Sequence, residues 1–153
     1  MKWSTPPAKR RGGADWLELI FKDHGFLRFY WHNQHLVADG LWRSNQPGPM
    51  RIAALAKTGI KTIVNLRGPR ADGSWQLEAE ACAKAGITLL DFTARSRAAP
   101  SKEMLYDARD LFAAIETPTL MHCKSGADRA GLMSALYLLI AEKRPAREAM
   151  GQL

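Results

Sequence analysis

The chain is poor in the residues that staple, anchor or ligate. Its 153 residues hold two cysteines, Cys82 and Cys123, too few for a disulfide framework, and both are expected as reduced thiols. No apolar run approaches the ~20 residues of a membrane-spanning helix. The opening Met1-Lys2-Trp3-Ser4-Thr5-Pro6-Pro7 lacks the apolar core of a signal peptide, so a cytoplasmic location is expected. Metal ligands are sparse: His32 and His35 stand at i, i+3 with no third ligand suggested nearby, and no metal site is expected. Zinc-finger spacing and RNA-binding motifs are absent, and charge alone does not make a nucleic-acid binder; none is expected. Acidic residues number 15 against 22 Lys and Arg, which gives a net charge of +7 and a sequence pI near 9.7. That balance reads first as a solvated basic surface and second as a field that draws anionic substrates.

What is present suits one soluble domain with a real core: 46% hydrophobic and 24% charged residues. Residues 1–14, with their prolines, glycines and the run Lys9-Arg10-Arg11, read as a flexible basic tail, and residues 15–153 as the folded domain. Contact of such a tail with an anionic lipid surface would gain ~1 kcal/mol per basic residue. Asp15 is placed to cap a short helix running to Phe21, and 26–31, rich in aromatics, suits a strand or extended arm. Asp39-Gly40 signals a hairpin turn. Helices are expected over 49–58, stopped by Gly59; over 75–84, capped by Ser74 and stopped by Gly86; and over about 102–116, capped by Ser101. On the second of these, Leu77, Ala81 and Cys82 are expected inward, Glu78 and Glu80 outward. Apolar runs at 60–66 and 87–92, and the run into Cys123, read as strands between the helices. Such alternation implies an α/β domain with a mostly parallel central sheet flanked by helices. The chain stops soon after Cys123, so its C-terminal helices are expected to be incomplete and apolar sheet surface to be left bare.

The most informative stretch is Thr119-Leu120-Met121-His122-Cys123-Lys124-Ser125-Gly126-Ala127-Asp128-Arg129-Ala130-Gly131: an apolar strand, a tight polar loop, then an apolar helix. A loop feeding a helix N-terminus turns several N–H groups toward one point, and the helix dipole adds positive potential there. Lys124, Ser125, Gly126, Ala127, Asp128 and Arg129 are therefore the candidate phosphate-binding residues. Arg129 offers a planar, two-pronged donor for two phosphate oxygens. Cys123 would sit in the same field, of the kind that lowers cysteine pKa values to roughly 3.5–7.5, and a thiolate facing phosphorus is a nucleophile in position.

His122-Cys123-x5-Arg129-x-Gly131 resembles the signature of the cysteine-dependent protein-tyrosine and dual-specificity phosphatases. Gly40-Leu41-Trp42-Arg43-Ser44-Asn45-Gln46-Pro47 is similar to the entry segment of their compact bacterial and fungal members. The resemblance covers about 26–140. It implies phosphomonoester hydrolysis through a phosphocysteine on Cys123, without metal or cofactor, on a phosphorylated protein or another phosphate ester. Arg129 would grip the phosphoryl oxygens, and His122 would help set the thiolate and the loop. Arg67, in Asn65-Leu66-Arg67 at the end of a central strand, and Arg95 and Arg97 would favour an acidic or polyanionic substrate. For Arg43 two roles are open: lining the site mouth, or bracing its strand.

Two departures from the family pattern stand out. The family's general acid usually lies on the loop after the preceding strand, but that loop, Ala94-Arg95-Ser96-Arg97-Ala98-Ala99, has no carboxylate. Asp91 has the right separation from Cys123 but falls inside the expected strand; Asp128, immediately before the arginine as in some lipid-directed relatives, is the rival. Ala130 stands where relatives usually carry Ser or Thr, whose hydroxyl assists breakdown of the phosphocysteine. These departures keep two alternatives in play: a lipid or inositol phosphate phosphatase, and a phosphate-binding pseudophosphatase with little turnover.

Overall fold

The computed structural model describes residues 2–5, 13–18, 32–95 and 98–153. The expected strand at 26–31, most of the basic tail, the end of the first helix and Arg97 lie outside the described residues. Helix α1 (Gly13–Leu17) carries Asp15 in its first turn rather than at its cap. A hairpin of β1 (His35–Ala38) and β2 (Leu41–Asn45) turns at Asp39-Gly40, with Gly40 at φ +72°. Alternating elements follow: α2 (Pro49–Lys57), β3 (Thr62–Asn65), α3 (Gly73–Ala85), β4 (Thr88–Asp91), α4 (Lys102–Ala114), β5 (Thr119–Cys123), α5 (Asp128–Ile140) and a short α6 (Ala146–Ala149).

The strand order is β1-β2-β5-β3-β4; β2, β5, β3 and β4 run parallel, and of these five described strands β1 is the antiparallel one. This is the expected α/β architecture. The last strand in sequence lies in the middle, flanked by β2 and β3, so the chain around Cys123 opens at the carboxyl end of the sheet, where folds of this kind place ligands.

Side-chain alternation divides the core. Ile63, Leu89 and Leu120 point to one face, beneath Ile52 and Leu55 of α2 and Ala79 and Cys82 of α3. Val64, Leu90 and Met121 point to the other, beneath Ala108, Leu111 and Phe112 of α4 and Met133, Leu136 and Tyr137 of α5. Phe112 meets Tyr137 edge-on at 5.2 Å between ring centroids. Each face is thus covered by two helices, and among the described residues neither of these two faces is left bare. α6 and the turn after it close over α5, with Ala149 buried beside Ala135 and Leu138.

Two local expectations are corrected. The N-cap of α3 is Asp72, whose Oδ1 accepts from Trp75 N at 2.9 Å, and Ser74 lies buried inside the helix. Glu78 is not outward: it is 1% exposed. Residues 2–5, within the segment read as tail, lie along β4: Ser4 bridges Leu90, and Asp91 N donates to Trp3 O at 2.9 Å. Ser101 caps α4 as expected, accepting from Met104 N.

Leu120 is fully buried at the centre of the α2–α3 face. Truncation there removes packing on β5, the strand that carries the site. Leu120→Ala is expected to cost about 2–5 kcal/mol of stability, read from urea unfolding; a cost below about 1 kcal/mol would contradict the central placement of β5.

Candidate active site

β5 ends at Cys123 and α5 begins at Asp128, leaving a short loop to join them. The loop turns through Gly126 at φ +80°. A Cβ on Gly126 would lie 2.6 Å from Asn45 N and from Ser44 C, so both the backbone conformation and the approach to β2 require glycine. This turn aims the Gly126 N–H at Cys123 Sγ, 3.2 Å away. The helix start has no capping side chain at Ala127, so its first-turn N–H groups remain directed at the loop. Arg129, half-buried on the first turn of α5, follows directly.

Amides that point inward leave carbonyls pointing outward, and three of these meet partners. Lys124 O accepts from Gln46 N at 3.4 Å, and Ser125 O from Asn33 Nδ2 at 2.8 Å. Cys123 O lies 3.3 Å from His122 Nδ1. The strap carrying Asn33 is tied down in turn: His32 O accepts from Asn45 N at 3.2 Å, and Arg51 bridges Asn45 Oδ1 at 3.0 Å and Gln34 Oε1 at 2.7 Å. Burial pulls the Arg51 guanidinium down to about 10.

Behind the loop lies a buried polar layer. His122, fully buried, meets Glu78 Oε1 through Nε2 at 2.5 Å. Glu78 Oε2 accepts from Gln46 Nε2 at 2.7 Å, and Gln46 Oε1 accepts from Arg67 Nη1. The sequence reading missed Glu78, Gln46, Asn33 and Arg51. For Glu78 a signal existed: it lies three residues after Trp75 and four before Cys82, both buried, and so shares their stripe.

The other candidates separate by position. Asp128 opens α5, exposed beside Arg129. Asp91 is not brought to Cys123. Two strand spacings, about 10 Å, lie between β4 and β5 across β3. Its carboxylate faces α3, accepting from Asn65 Nδ2 at 2.7 Å, Trp75 Nε1 at 3.1 and 3.2 Å, and Thr5 Oγ1 at 2.7 Å. Arg43 turns toward the C-terminal segment, where Nη1 donates to Gln152 O at 2.5 Å. Arg67 is buried in the layer behind the loop. Arg95 is exposed and lines a cavity of about 620 Å³ with Lys2, Trp3, Asp91, Met104 and Asp107, to which residues 123–129 do not contribute. Ala130, with no hydroxyl to offer, is buried in the core.

A cysteine at a strand end, an arginine on the following helix turn and a glycine-pinned loop between them are the frame of a phosphate-loop phosphatase. Residues 32–152 match the family model described as DSP-PTPase phosphatase fused to NAD+ kinase. The chain belongs to this phosphatase family. It is 30% identical over 122 residues to the dual specificity protein phosphatase TpbA of Pseudomonas aeruginosa, a match covering 77% of this chain and 53% of that protein. It therefore spans about half the length of the curated relatives it matches. The crystal structure of P. aeruginosa TpbA aligns with a TM-score of 0.62 at 28% identity, over 79% of this chain and 71% of that one. The core catalytic domain of the PP-IP phosphatase SIW14 from S. cerevisiae aligns with a TM-score of 0.59 at 17% identity, over 80% of this chain and 84% of that one, and shows a shared fold.

The two thiols sit in different surroundings. Burial, followed by the Glu78 and Asp91 carboxylates, pushes the Cys82 thiol well up from its ordinary value. Since only the thiolate alkylates readily, iodoacetamide at pH 8 is expected to spare Cys82 in the folded chain and to modify it in urea. Labelling of folded Cys82 at the rate of a free thiol would contradict this burial.

Proposed function

We propose that this chain hydrolyses phosphomonoesters through a phosphocysteine intermediate on Cys123. The observation that carries the reading is the Gly126 amide directed at Cys123 Sγ at 3.2 Å, in a loop that opens onto the start of α5. Amides so placed stabilise negative charge on sulfur and on the equatorial oxygens of a phosphoryl group. In the first step the Cys123 sulfur bonds to phosphorus as the bond to the leaving oxygen breaks, and Arg129 holds two of the remaining oxygens. In the second step water attacks phosphorus, the S–P bond breaks, and inorganic phosphate leaves. Lys124, Ser125, Gly126 and Ala127 provide the rest of the cradle, and the outward pinning of the Lys124 and Ser125 carbonyls supports its geometry.

We assign protonation of the leaving oxygen, and deprotonation of the attacking water, to Asp128. Its exposed position beside Arg129, on the first turn of α5, supports this; Asp91 accepts from Asn65, Trp75 and Thr5 on the α3 side of the sheet. A phosphorylated protein is the substrate class supported by likeness to TpbA, named a dual specificity protein phosphatase and also solved in complex with pTyr. A second reading, a phosphate-binding pseudophosphatase, is favoured by that same engagement of Asp91 and by the buried methyl of Ala130.

Kinetics on phosphate esters separate these readings. Cys123→Ser is expected to abolish turnover. Asp128→Asn should lower kcat by about 10²–10⁴ for alkyl phosphates and much less for aryl phosphates, whose leaving groups need little protonation. Asp91→Asn should keep kcat within a few-fold while lowering thermal stability. The reverse pattern for the two aspartates would return the acid role to Asp91. Wild-type protein that binds vanadate through Arg129 but turns nothing over would establish the pseudophosphatase.

A further inference from the structure

A planar trans peptide sends its C=O and its N–H to opposite sides. In the unit joining Ser125 to Gly126, the N–H is the group directed at Cys123 Sγ, 3.2 Å away, and the carbonyl faces outward to the strap. Its partner there is Asn33, which the reaction above does not use. A carbonyl oxygen only accepts, so the Asn33 side chain must present Nδ2 to Ser125 O, at 2.8 Å. Oδ1 is then turned to His35 Nε2, 2.9 Å away, and that ring nitrogen is the donor. His35 thereby fixes which way the Asn33 amide lies. The backbone suits the same residue: Asn33 has φ +42°, in the left-handed region that asparagine tolerates better than most side chains. Gly126, at φ +80°, has no Cβ to favour one sign of φ over the other. A glycine there would accept the reversed peptide unit as readily, with a carbonyl in place of the N–H.

We infer that Asn33 is a positioning residue that latches the Ser125–Gly126 peptide unit with its N–H toward the sulfur, its own amide held for this by His35. The strap is anchored on both sides of the latch, by His32 O on Asn45 N and by Gln34 Oε1 on Arg51. The consequence for catalysis rests on the reading of Cys123 as nucleophile. A reversed unit would replace a donor by an acceptor beside both the thiolate and the phosphoryl oxygens, where donors are needed.

Ser125-Gly126 is the one Ser-Gly step in the sequence. A full chain carrying carbon-13 at serine carbonyls and nitrogen-15 at glycine therefore gives a single carbonyl-to-amide NMR correlation from this unit. Asn33→Gly keeps the left-handed backbone and removes the side chain; Asn33→Asp keeps the shape but turns an oxygen toward Ser125 O. Both are expected to shift the Ser125 carbonyl and the Gly126 amide together. Both should also weaken vanadate binding and lower kcat/KM for an aryl phosphate by about three- to tenfold, with cooperative unfolding retained. A Gly126 amide that stays in place in both variants, or a lower melting temperature with vanadate affinity unchanged, would mean that the strap only packs, and would overturn the latch. If the wild-type chain neither turns over a phosphate ester nor binds vanadate, the phosphatase reading fails, while the NMR correlation still decides whether Asn33 holds the unit.

Discussion

A loop that converges its amides on one anion must send its carbonyls the other way, and buried carbonyls need donors. Much of the neighbouring structure supplies them. Gln46 N takes the Lys124 carbonyl, Asn33 Nδ2 the Ser125 carbonyl, and the His122 ring sits against the Cys123 carbonyl. These donors come from three places: the end of β2, the strap at 32–34 and β5 itself. An anion cradle of this kind is therefore a property of the sheet end as a whole rather than of seven consecutive residues. Gly126 is where the requirement is tightest, because the loop reaches its donors only by lying against the backbone of Ser44 and Asn45.

The sheet order provides that proximity. β5 is flanked by β2 on one side and β3 on the other, so the residues following both neighbours, Gln46 and Arg67, reach the ground behind Cys123. α3 covers the same face and lowers Glu78 onto His122. The apolar core stops at this level and a polar layer begins, running from Arg67 through Gln46 and Glu78 to His122. Next to it, Asn65 and Trp75 hold Asp91. Low-dielectric surroundings make such a layer costly when incomplete and rigid when satisfied. For the proposed reaction rigidity is useful, since misplacing a loop carbonyl would set a negative dipole against a bound phosphate.

The parts legible in the sequence were those with local rules. The parallel α/β alternation, the Asp39-Gly40 hairpin, the Ser101 cap and the strand–loop–helix around Cys123 each follow from periodicity or turn chemistry within a dozen residues. What escaped depends on partners distant along the chain. Glu78 read as a surface residue because a glutamate on an amphipathic helix normally faces water; its partner, His122, lies on a strand reached only after two further elements. Asp91 read as a candidate acid because separation along the chain was right, but alternation on β4 turns it toward α3, away from the core face that Cys123 shares. Asp72 displaced Ser74 as cap because both are good capping residues two positions apart, and burial of Ser74 decides between them. Arg43 was left with two roles, lining the site mouth or bracing its strand against the sheet, and its bond to Gln152 O ties β2 to the C-terminal turn instead.

The central claim is that Cys123 is the atom to which phosphorus is transferred. The measurement that meets it most directly is acid-quenched trapping of the full chain during turnover of a phosphate ester, followed by peptide mass spectrometry. Ala130 offers no hydroxyl to assist hydrolysis, and the intermediate of the proposed reaction should therefore build up. The account predicts one added phosphoryl group on the peptide carrying Cys123, absent from Cys123→Ser. Continued release of inorganic phosphate with Cys123 unmodified, or with the phosphoryl group on another residue, would contradict it.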